Sequence, residues 1–310
     1  MTAEQRGAEV PEALHGERID RVVAIIANLT RSEASEAVDA GAVSVNGTVV
    51  LRRSSKVHLG DQIDVMVVPP VAAAPLAGDE SVEFATVYAD DDVIVVNKPA
   101  GLVVHPGAGN ANGTLVHGLL ARYPDLFGLV EAQAERPGIV HRIDKGTSGL
   151  LMVARTPRAV AGLIAQLAAR TVTRQYIALS HGHLDARTGV IDAPIGRSDS
   201  DPTRMAVSAH GRNAVTHYSV AEVFTSPDLV SLVTCRLETG RTHQIRVHLA
   251  AIGHPVVGDE RYGGVRGRVQ SPRAFLHAAH LGFEHPSTGD WMTFDAELPP
   301  DLVAVRDQLR

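Results

Sequence analysis

A short stretch rich in proline and alanine, residues 69–78, divides the chain into a small N-terminal part and a large C-terminal part. Its prolines make the backbone semi-rigid, and its composition offers no face that could pack against a core. At 310 residues the chain is long enough for two domains. We therefore predict a disordered tail at 1–16, a small domain at 17–68, a linker at 69–80 and a main domain at 81–310.

The small domain has the pattern of two helices followed by a β-ribbon. Apolar residues between Ile19 and Leu29 fall at helical spacing, and the sequence "TRSE" from Thr30 to Glu33 has the form of a capping box that opens a second helix. Asn46-Gly47 between two short apolar runs predicts a tight hairpin, and a last strand is expected over residues 57–68. So small a core is marginal, which indicates an appended module.

The main domain contains one polar turn with an unusual set of charges, "HRIDKGTSG" at residues 141–149. It places Asp144 between Arg142 and Lys145, and the apolar runs on either side predict buried strands. Neighbouring cations favour the ionised carboxylate, which suits a nucleophile or an electrostatic stabiliser better than a proton donor. Alternatively, Asp144 only forms the turn by accepting backbone N–H bonds. These residues alone leave both interpretations open.

The distribution of charge points to a polyanionic partner, although the net charge is −6. Residues 1–100 carry 8 Lys or Arg against 16 Asp or Glu, whereas residues 136–178 carry 7 Lys or Arg against Asp144 alone. A second basic segment, residues 236–273, has 7 arginines against three acidic residues. Two such segments in one domain favour a surface that binds phosphates, and a solvated charged face is the alternative.

Other side chains in these basic segments are suited to recognition. Period-two alternation in a strand at 171–179 puts Arg174 and Tyr176 on one face, where a tyrosine beside arginines can stack on a base or simply pack. Arg241 lies between a turn and a helix, which would fix it well for pairing with a carboxylate. Strands are expected near 214–224 and 229–238, and the polar residues 188–213 have the composition of a long surface loop.

Several function classes lack their sequence signals. Cys235 is the single cysteine, the histidine spacings do not suit zinc, and the glycine-rich motifs for nucleotides and dinucleotides are missing, so we expect neither a metal nor a nucleotide cofactor. No run of 18 apolar residues occurs and the acidic N-terminus does not resemble a signal peptide, so a cytoplasmic protein without membrane contact is expected. Local patterns alone predict an α+β protein with many strands.

The small domain resembles a known RNA-binding module. The segments "LTRSEASEAVDAGAVSVNGTVV" and "KVHLGDQIDV" are similar to the S4 domain. Its second helix is more acidic than is usual for that family, because it contains Glu33, Glu36 and Asp39. Contacts with RNA phosphates would then come from the basic residues Arg31, Arg52, Arg53 and Lys56.

Three segments of the main domain resemble one enzyme family. "NKPAGLVVHPG" at 97–107, "GIVHRIDKGTSGLLMVART" at 138–156 and "LETGRTHQIRVHLAAIGHPVVGD" at 237–259 are similar to the signature segments of the RluA family of RNA pseudouridine synthases. With the S4-like module in front, the branch that modifies large-subunit rRNA is the nearest resemblance. The resemblance implies an α+β fold with a long mixed, mostly antiparallel central sheet, and isomerisation of uridine to pseudouridine in a flipped-out nucleotide without a cofactor.

The resemblance also implies roles for individual residues. Asp144 would be the catalytic aspartate, attacking either C1′ of the ribose or the pyrimidine ring, and Tyr176 would stack on the target base and serve in proton transfer. Arg241 would pair with the aspartate. Arg142 would fill the gap left by the flipped base, Lys145 would contact RNA, and Leu276 would pack under the base.

The sequence therefore predicts a monomeric cytoplasmic enzyme that converts specific uridines of 23S rRNA to pseudouridine. Two alternatives stay open. The same chemistry on tRNA shares every motif, and an RNA-binding assembly factor with an idle synthase site would carry the same basic segments.

Overall fold

The computed structural model describes residues 4–29, 31–67, 76–107, 109–133 and 136–310. The chain divides into two compact units, Met1–Pro75 and Leu76–Arg310. Thr30 and most of the predicted linker lie outside the described residues. Residues 76–80, which we assigned to the linker, belong to the second unit, where the Asp79 amide donates to the His117 carbonyl at 2.9 Å. Among the residues that the structure describes, no helix is long and apolar enough to cross a bilayer.

The first unit packs two helices against a four-stranded antiparallel sheet of order β1-β4-β2-β3. Its core is formed by α1, α2 and the facing side of the sheet, with Ile19, Val38 and Ile63 fully buried. The predicted hairpin is confirmed, with Asn46 and Gly47 in the left-handed region. The elements are β1 (Glu4–Glu9), α1 (Ile19–Ile26), α2 (Arg31–Asp39), β2 (Val43–Val45), β3 (Thr48–Val49) and β4 (Gln62–Val67), with a short 3₁₀ helix at Glu12–Leu14.

Two predictions for this unit are wrong. The tail expected at 1–16 contains β1, which pairs with β4 from Glu9↔Gln62 onward. Its sequence carries no apolar alternation, so its order comes from backbone pairing with β4 and not from a buried face. The last strand begins at Gln62 rather than at residue 57, because His58 and Asp61 close a turn in which the Asp61 carboxylate accepts from the His58 amide at 2.7 Å.

The second unit is built on a nine-stranded mixed sheet of order β5-β6-β7-β14-β8-β13-β12-β9, with β15 paired to β14. Each strand pair is antiparallel except β7 with β14, so the expectation of a mixed, mostly antiparallel sheet is confirmed. The strands of this unit are β5 (Ala85–Ala89), β6 (Val93–Lys98), β7 (Ser148–Ala154), β8 (Thr173–His181), β9 (Thr188–Asp192), β10 (Ile195–Arg197), β11 (Met205–Val207), β12 (Val215–Phe224), β13 (Val230–Leu237), β14 (Leu276–Glu284) and β15 (Trp291–Asp295).

Helices of the second unit pack against this sheet and extend its core. Thr156 caps α5 by accepting from the Ala159 amide at 3.1 Å, as the Thr-Pro sequence predicts. The segment 188–213 is not one long loop: β9 pairs with β12, and β10 with β11. The helices are α3 (Leu115–Arg122), α4 (Val130–Gln133), α5 (Pro157–Ala169), α6 (Gln244–Ala251) and α7 (Pro300–Arg306), with a 3₁₀ helix at Pro124–Leu129.

The register of the central strands brings distant parts of the chain together. Because β7 and β14 run parallel with Ala278 opposite Gly149, the residues that precede both strands lie at the same edge of the sheet. Strand β8 is antiparallel to β14 and places Tyr176 opposite Ala278. On its other side Tyr176 lies opposite Cys235, two residues before the end of β13, so the turn that follows β13 lies beside Arg174 near the start of β8.

Candidate active site

The turn that carries Asp144 is held by several backbone contacts. The Thr147 amide donates to the Asp144 carbonyl at 3.1 Å, and the Gly101 amide donates to the Lys145 carbonyl at 2.8 Å. From the opposite side, the Arg273 guanidinium donates to the Gly146 carbonyl at 3.0 Å. The carboxylate of Asp144 is therefore presented on a fixed backbone.

A buried lysine supports the same turn. Lys98 is fully buried, and burial, reinforced by the positive charge of Arg273, lowers its pKa to about 7. Its side chain fastens the loop after β6 to the turn after Asp144 by donating to the carbonyls of Pro99 at 2.8 Å, Leu102 at 2.8 Å and Lys145 at 3.3 Å.

The arginine that pairs with Asp144 is Arg246. Its Nη1 donates to Asp144 Oδ2 at 3.0 Å, while its Nε and Nη2 donate to the two carboxylate oxygens of Asp259 at 2.6 and 2.8 Å. Burial opposes the charge of Arg246, but the hydrogen bonds and charges of Asp259 and Asp144 raise its pKa above the ordinary value. Asp259 is only 1% exposed, so Arg246 has a rigid anchor from which to orient the catalytic candidate.

The prediction that Arg241 pairs with Asp144 is wrong. Helix α6 begins at Gln244, so Arg241 lies in the preceding turn, where its Nε donates to the Asn213 carbonyl at 2.9 Å. Its amide donates to the Gln244 side chain at 3.0 Å, which fixes the turn against the helix. Arg246, two residues into the helix, projects toward Asp144 instead.

Sequence reasoning therefore missed Arg246 and Asp259, although a usable signal was present. Arg246 lies between Ile245 and Val247 in a short, mostly buried helix. An arginine in such a setting requires a carboxylate partner, because an unpaired buried charge is costly. The sequence alone does not say which carboxylates those are.

A histidine also approaches the Asp144 carboxylate. His243 precedes α6 in a left-handed conformation with φ of 57° and places its Nε2 3.9 Å from Asp144 Oδ1. Its Nδ1 lies 2.8 Å from the Tyr262 hydroxyl. Burial lowers the pKa of His243, an effect that the charge of Asp144 opposes. Asp144 is thus flanked by Arg246 at one oxygen and by His243 near the other.

Asp144 forms part of a narrow cavity of about 50 Å³ whose other walls include Tyr176, Leu276 and Arg142. The carboxylate side chain is 18% exposed, whereas Tyr176 and Leu276 are buried in the wall. Burial raises the pKa of Tyr176 to about 12, so its phenol keeps its proton at neutral pH. Arg241 lines the cavity as well, so the structure brings five of the predicted site residues together around one opening.

The two cations beside Asp144 in sequence point to different places. Arg142 lines the cavity, and its Nη1 lies 3.3 Å from Nε2 of His105. Because Nδ1 of His105 lies 2.9 Å from the Pro106 carbonyl, that nitrogen carries the proton and Nε2 accepts from Arg142. Lys145 instead extends toward the Asn110 side chain at 3.4 Å and is exposed.

The cavity opens onto a larger basic groove of about 640 Å³. Cavity and groove share Arg142, Arg174, Gly240 and Arg241. Burial and the positive charges of Arg212 and Arg170 lower the pKa of Arg241, which shows how closely cations are crowded here. Glu238 contributes a carboxylate to the wall of this groove. The arginines that line the groove are Arg136, Arg142, Arg170, Arg174, Arg212 and Arg241.

In the first unit, the four basic residues proposed from sequence are exposed. Arg53 forms an ion pair with Asp39 of α2. The bond to Asp39 raises the pKa of Arg53. The four residues are Arg31, Arg52, Arg53 and Lys56.

Comparison with known families identifies the chain. Residues 92–251 match the RNA pseudouridylate synthase family, and residues 17–63 match the S4 domain. The chain belongs to the RNA pseudouridylate synthase family. The resemblance seen in the sequence segments is therefore confirmed.

Relatives match over nearly the whole chain. An uncharacterized RNA pseudouridine synthase, YlyB of Bacillus subtilis, is 47% identical over 96% of this chain and 96% of its own length. Ribosomal large subunit pseudouridine synthase D of Vibrio parahaemolyticus is 42% identical over 97% of this chain and 93% of its own. The solved structure of human RNA pseudouridylate synthase domain containing 1 is 32% identical, with a TM-score of 0.57 over 72% of this chain and 88% of that one.

Proposed function

We propose that this protein isomerises specific uridines of large-subunit rRNA to pseudouridine, with Asp144 as the nucleophile. The observation that carries the proposal is the fixed, partly exposed Asp144 carboxylate, held at 3.0 Å by Arg246 in a cavity that opens onto an arginine-lined groove. Anionic RNA suits the groove, and a single uridine drawn out of its stack suits the cavity.

The reaction uses functions that these side chains supply. The N1–C1′ bond of uridine breaks and a C5–C1′ bond forms, C5 loses its proton and N1 gains one, so that no atoms are lost and no net oxidation occurs. A carboxylate stabilised by Arg246 attacks C1′ or the pyrimidine ring, and the released base turns before it rejoins the sugar. No step of this reaction uses a cofactor.

The remaining cavity residues have binding roles in this proposal. The Tyr176 ring stacks on the flipped uracil and its protonated phenol is available for proton transfer, while Leu276 packs under the base. Arg142 is exposed at the mouth, where it occupies the position that the flipped base leaves in the RNA. Lys145 contacts RNA outside the cavity.

The choice of rRNA rests on the relatives. Several are named ribosomal large subunit pseudouridine synthase D and match this chain over nearly its full length. Action on tRNA is the second candidate, since it would use the same site. The protein would act as a cytoplasmic monomer.

Mapping pseudouridines in all RNAs of a strain that lacks this protein tests the proposal. Restoring wild-type protein or the D144N variant in that strain provides the matched pair. We expect one or a few large-subunit rRNA pseudouridines to disappear, to return with wild type and to stay absent with D144N. Loss of tRNA pseudouridines instead, or return of the rRNA sites with D144N, would contradict the proposal.

The S4 unit adds affinity for rRNA through Arg31, Arg52, Arg53 and Lys56. Replacing Arg52 and Lys56, which are both exposed, by glutamine should weaken binding to the full rRNA substrate and leave turnover of a short stem-loop unchanged. Equal losses on both substrates would count against a separate role in placement.

A further inference from the structure

Arg174 lies at the junction between the catalytic cavity and the basic groove. It alternates with Tyr176 on β8, and both side chains face the cavity. Arg174 also lines the groove, which Tyr176 does not. Only 6% of the residue is exposed, so a guanidinium is held almost entirely inside the protein at the point where the two spaces meet.

The hydrogen-bonding capacity of this guanidinium is largely unused. Its Nη2 donates to the Glu238 backbone carbonyl at 3.1 Å, while its Nε is buried and finds no partner among the described residues. Burial lowers the pKa of Arg174, in keeping with an incompletely compensated cation. Buried donors without partners are rare in proteins and cost free energy, so the placement of this guanidinium requires an explanation.

The side chain of the neighbouring Glu238 does not neutralise Arg174. Glu238 directs one carboxylate oxygen to Arg170 at 2.8 Å and the other to His217 at 2.6 Å, and it offers Arg174 only its main-chain carbonyl. Strand pairing determines this arrangement, because Glu238 directly follows β13 and Arg174 lies near the start of the neighbouring β8. The positive charge of Arg174 is therefore available to a ligand.

We propose that Arg174 binds the RNA phosphate adjacent to the flipped uridine and so positions that nucleotide over Asp144. This inference rests on the proposed function and deepens it. A base that enters the cavity leaves its own phosphates at the cavity mouth, which is where Arg174 lies. A phosphate offers several acceptor oxygens, and the guanidinium has N–H groups besides the one that donates to the Glu238 carbonyl.

The test uses an RNA oligonucleotide that contains a target uridine mapped as above, with a neutral methylphosphonate replacing either the 5′ or the 3′ phosphate of that uridine. Dissociation constants are measured for wild type and for R174Q. We expect one of the two methylphosphonates to weaken wild-type binding by about tenfold or more, the loss typical of one charge-assisted contact. R174Q should show that loss already with unmodified RNA, and no further loss with the same methylphosphonate.

Two further variants keep the test decisive. R174K retains the positive charge but lacks the Nε donor, and it carries the experiment if R174Q melts at a lower temperature than wild type. R212Q is the matched control, since Arg212 is an exposed arginine of the same groove. The loss of RNA affinity caused by R212Q should multiply with the loss caused by either methylphosphonate.

The assignment would be overturned if the loss of affinity caused by R174Q multiplied with the loss caused by each of the two methylphosphonates, because the effects would then be independent. A loss that follows substitution of the uracil carbonyls instead, as with 4-thiouridine, would also overturn it, because Arg174 would then contact the base. Failure of the proposed function is a separate result. In that case the wild type binds the oligonucleotide without forming pseudouridine, whatever Arg174 contributes to affinity.

Discussion

Arg246 connects two carboxylates that have different tasks. Asp259 is buried and accepts two of its N–H groups, while Asp144 is partly exposed and accepts one. Because the guanidinium is planar and rigid, anchoring one edge on Asp259 directs the other edge at Asp144. The orientation of the nucleophile candidate thus depends on a residue that does not itself react.

Replacing Arg246 by lysine should lower kcat for pseudouridine formation by about tenfold to a thousandfold, because one ammonium group cannot bridge both carboxylates. RNA affinity should change little. Stopped assays of kcat and KM on rRNA fragments check this. R266K is the control, since Arg266 is exposed and donates to the Gly253 carbonyl rather than to Asp144 or Asp259. If R241K lost activity while R246K kept it, the assignment of the pairing arginine would be wrong.

The sequence predicted three residues that line the cavity but not the arginine that pairs with Asp144. Asp144, Tyr176 and Leu276 were chosen from motif positions, and the structure places all three around one cavity. Arg241 and Arg246 lie in the same short segment, and the start of α6 at Gln244 decides which of them faces Asp144. Local sequence does not fix that start, because the residue before the helix has a left-handed conformation rather than a typical cap.

The parallel pairing of β7 with β14 is the element that holds the site together. Gly149 has φ of 113°, and a Cβ placed on it would lie 2.2 Å from the Ala278 carbonyl oxygen. Backbone conformation and close approach therefore both require glycine at this position. The strands could not pair in this register with any larger residue.

G149A should lower the free energy of unfolding by more than about 2 kcal/mol, because the strands must separate to admit the methyl group. G146A is the matched control, since a Cβ there meets nothing within 4 Å. Its effect should stay within about 0.5 kcal/mol in the same urea titration. Equal stability of the two variants would show that the strand pairing tolerates displacement.

Elements with a strong local pattern were predicted and those that depend on pairing were not. The hairpin at Asn46-Gly47 and the start of α5 after Thr156 follow from local chemistry. The strands β1, β9, β10 and β11 are polar or short, and neighbouring backbone orders them. The mixed, mostly antiparallel character of the large sheet came from the family resemblance. The order of its strands, which brings distant motifs together, was not predicted.

Buried and half-buried histidines dominate the expected response of the whole molecule to acid. Burial lowers the pKa of each of six histidines, and for His141 it reaches about 3. The unfolded chain therefore binds more protons than the folded one below about pH 6.5, the ordinary histidine value. Their contribution to stability is complete above that pH and is lost as the pH falls. The six are His117, His141, His181, His243, His248 and His277.

We expect the free energy of unfolding to fall by at least about 2 kcal/mol between pH 7 and pH 5, where most carboxylates remain ionised. Urea titrations at several pH values measure it. H141Q should reduce this slope, because a neutral amide replaces a histidine whose Nε2 accepts from the Met152 amide at 3.1 Å. A stability that is constant or rises toward pH 5 would contradict this prediction.

The most direct test of the whole account measures release of tritium from 5-tritiated uridine in large-subunit rRNA, comparing wild type with D144N. The substitution keeps the size of the side chain and removes its charge. We expect tritium release by wild type, none by D144N, and similar RNA affinity for both. Release by D144N at the wild-type rate, or no release by wild type, would contradict it.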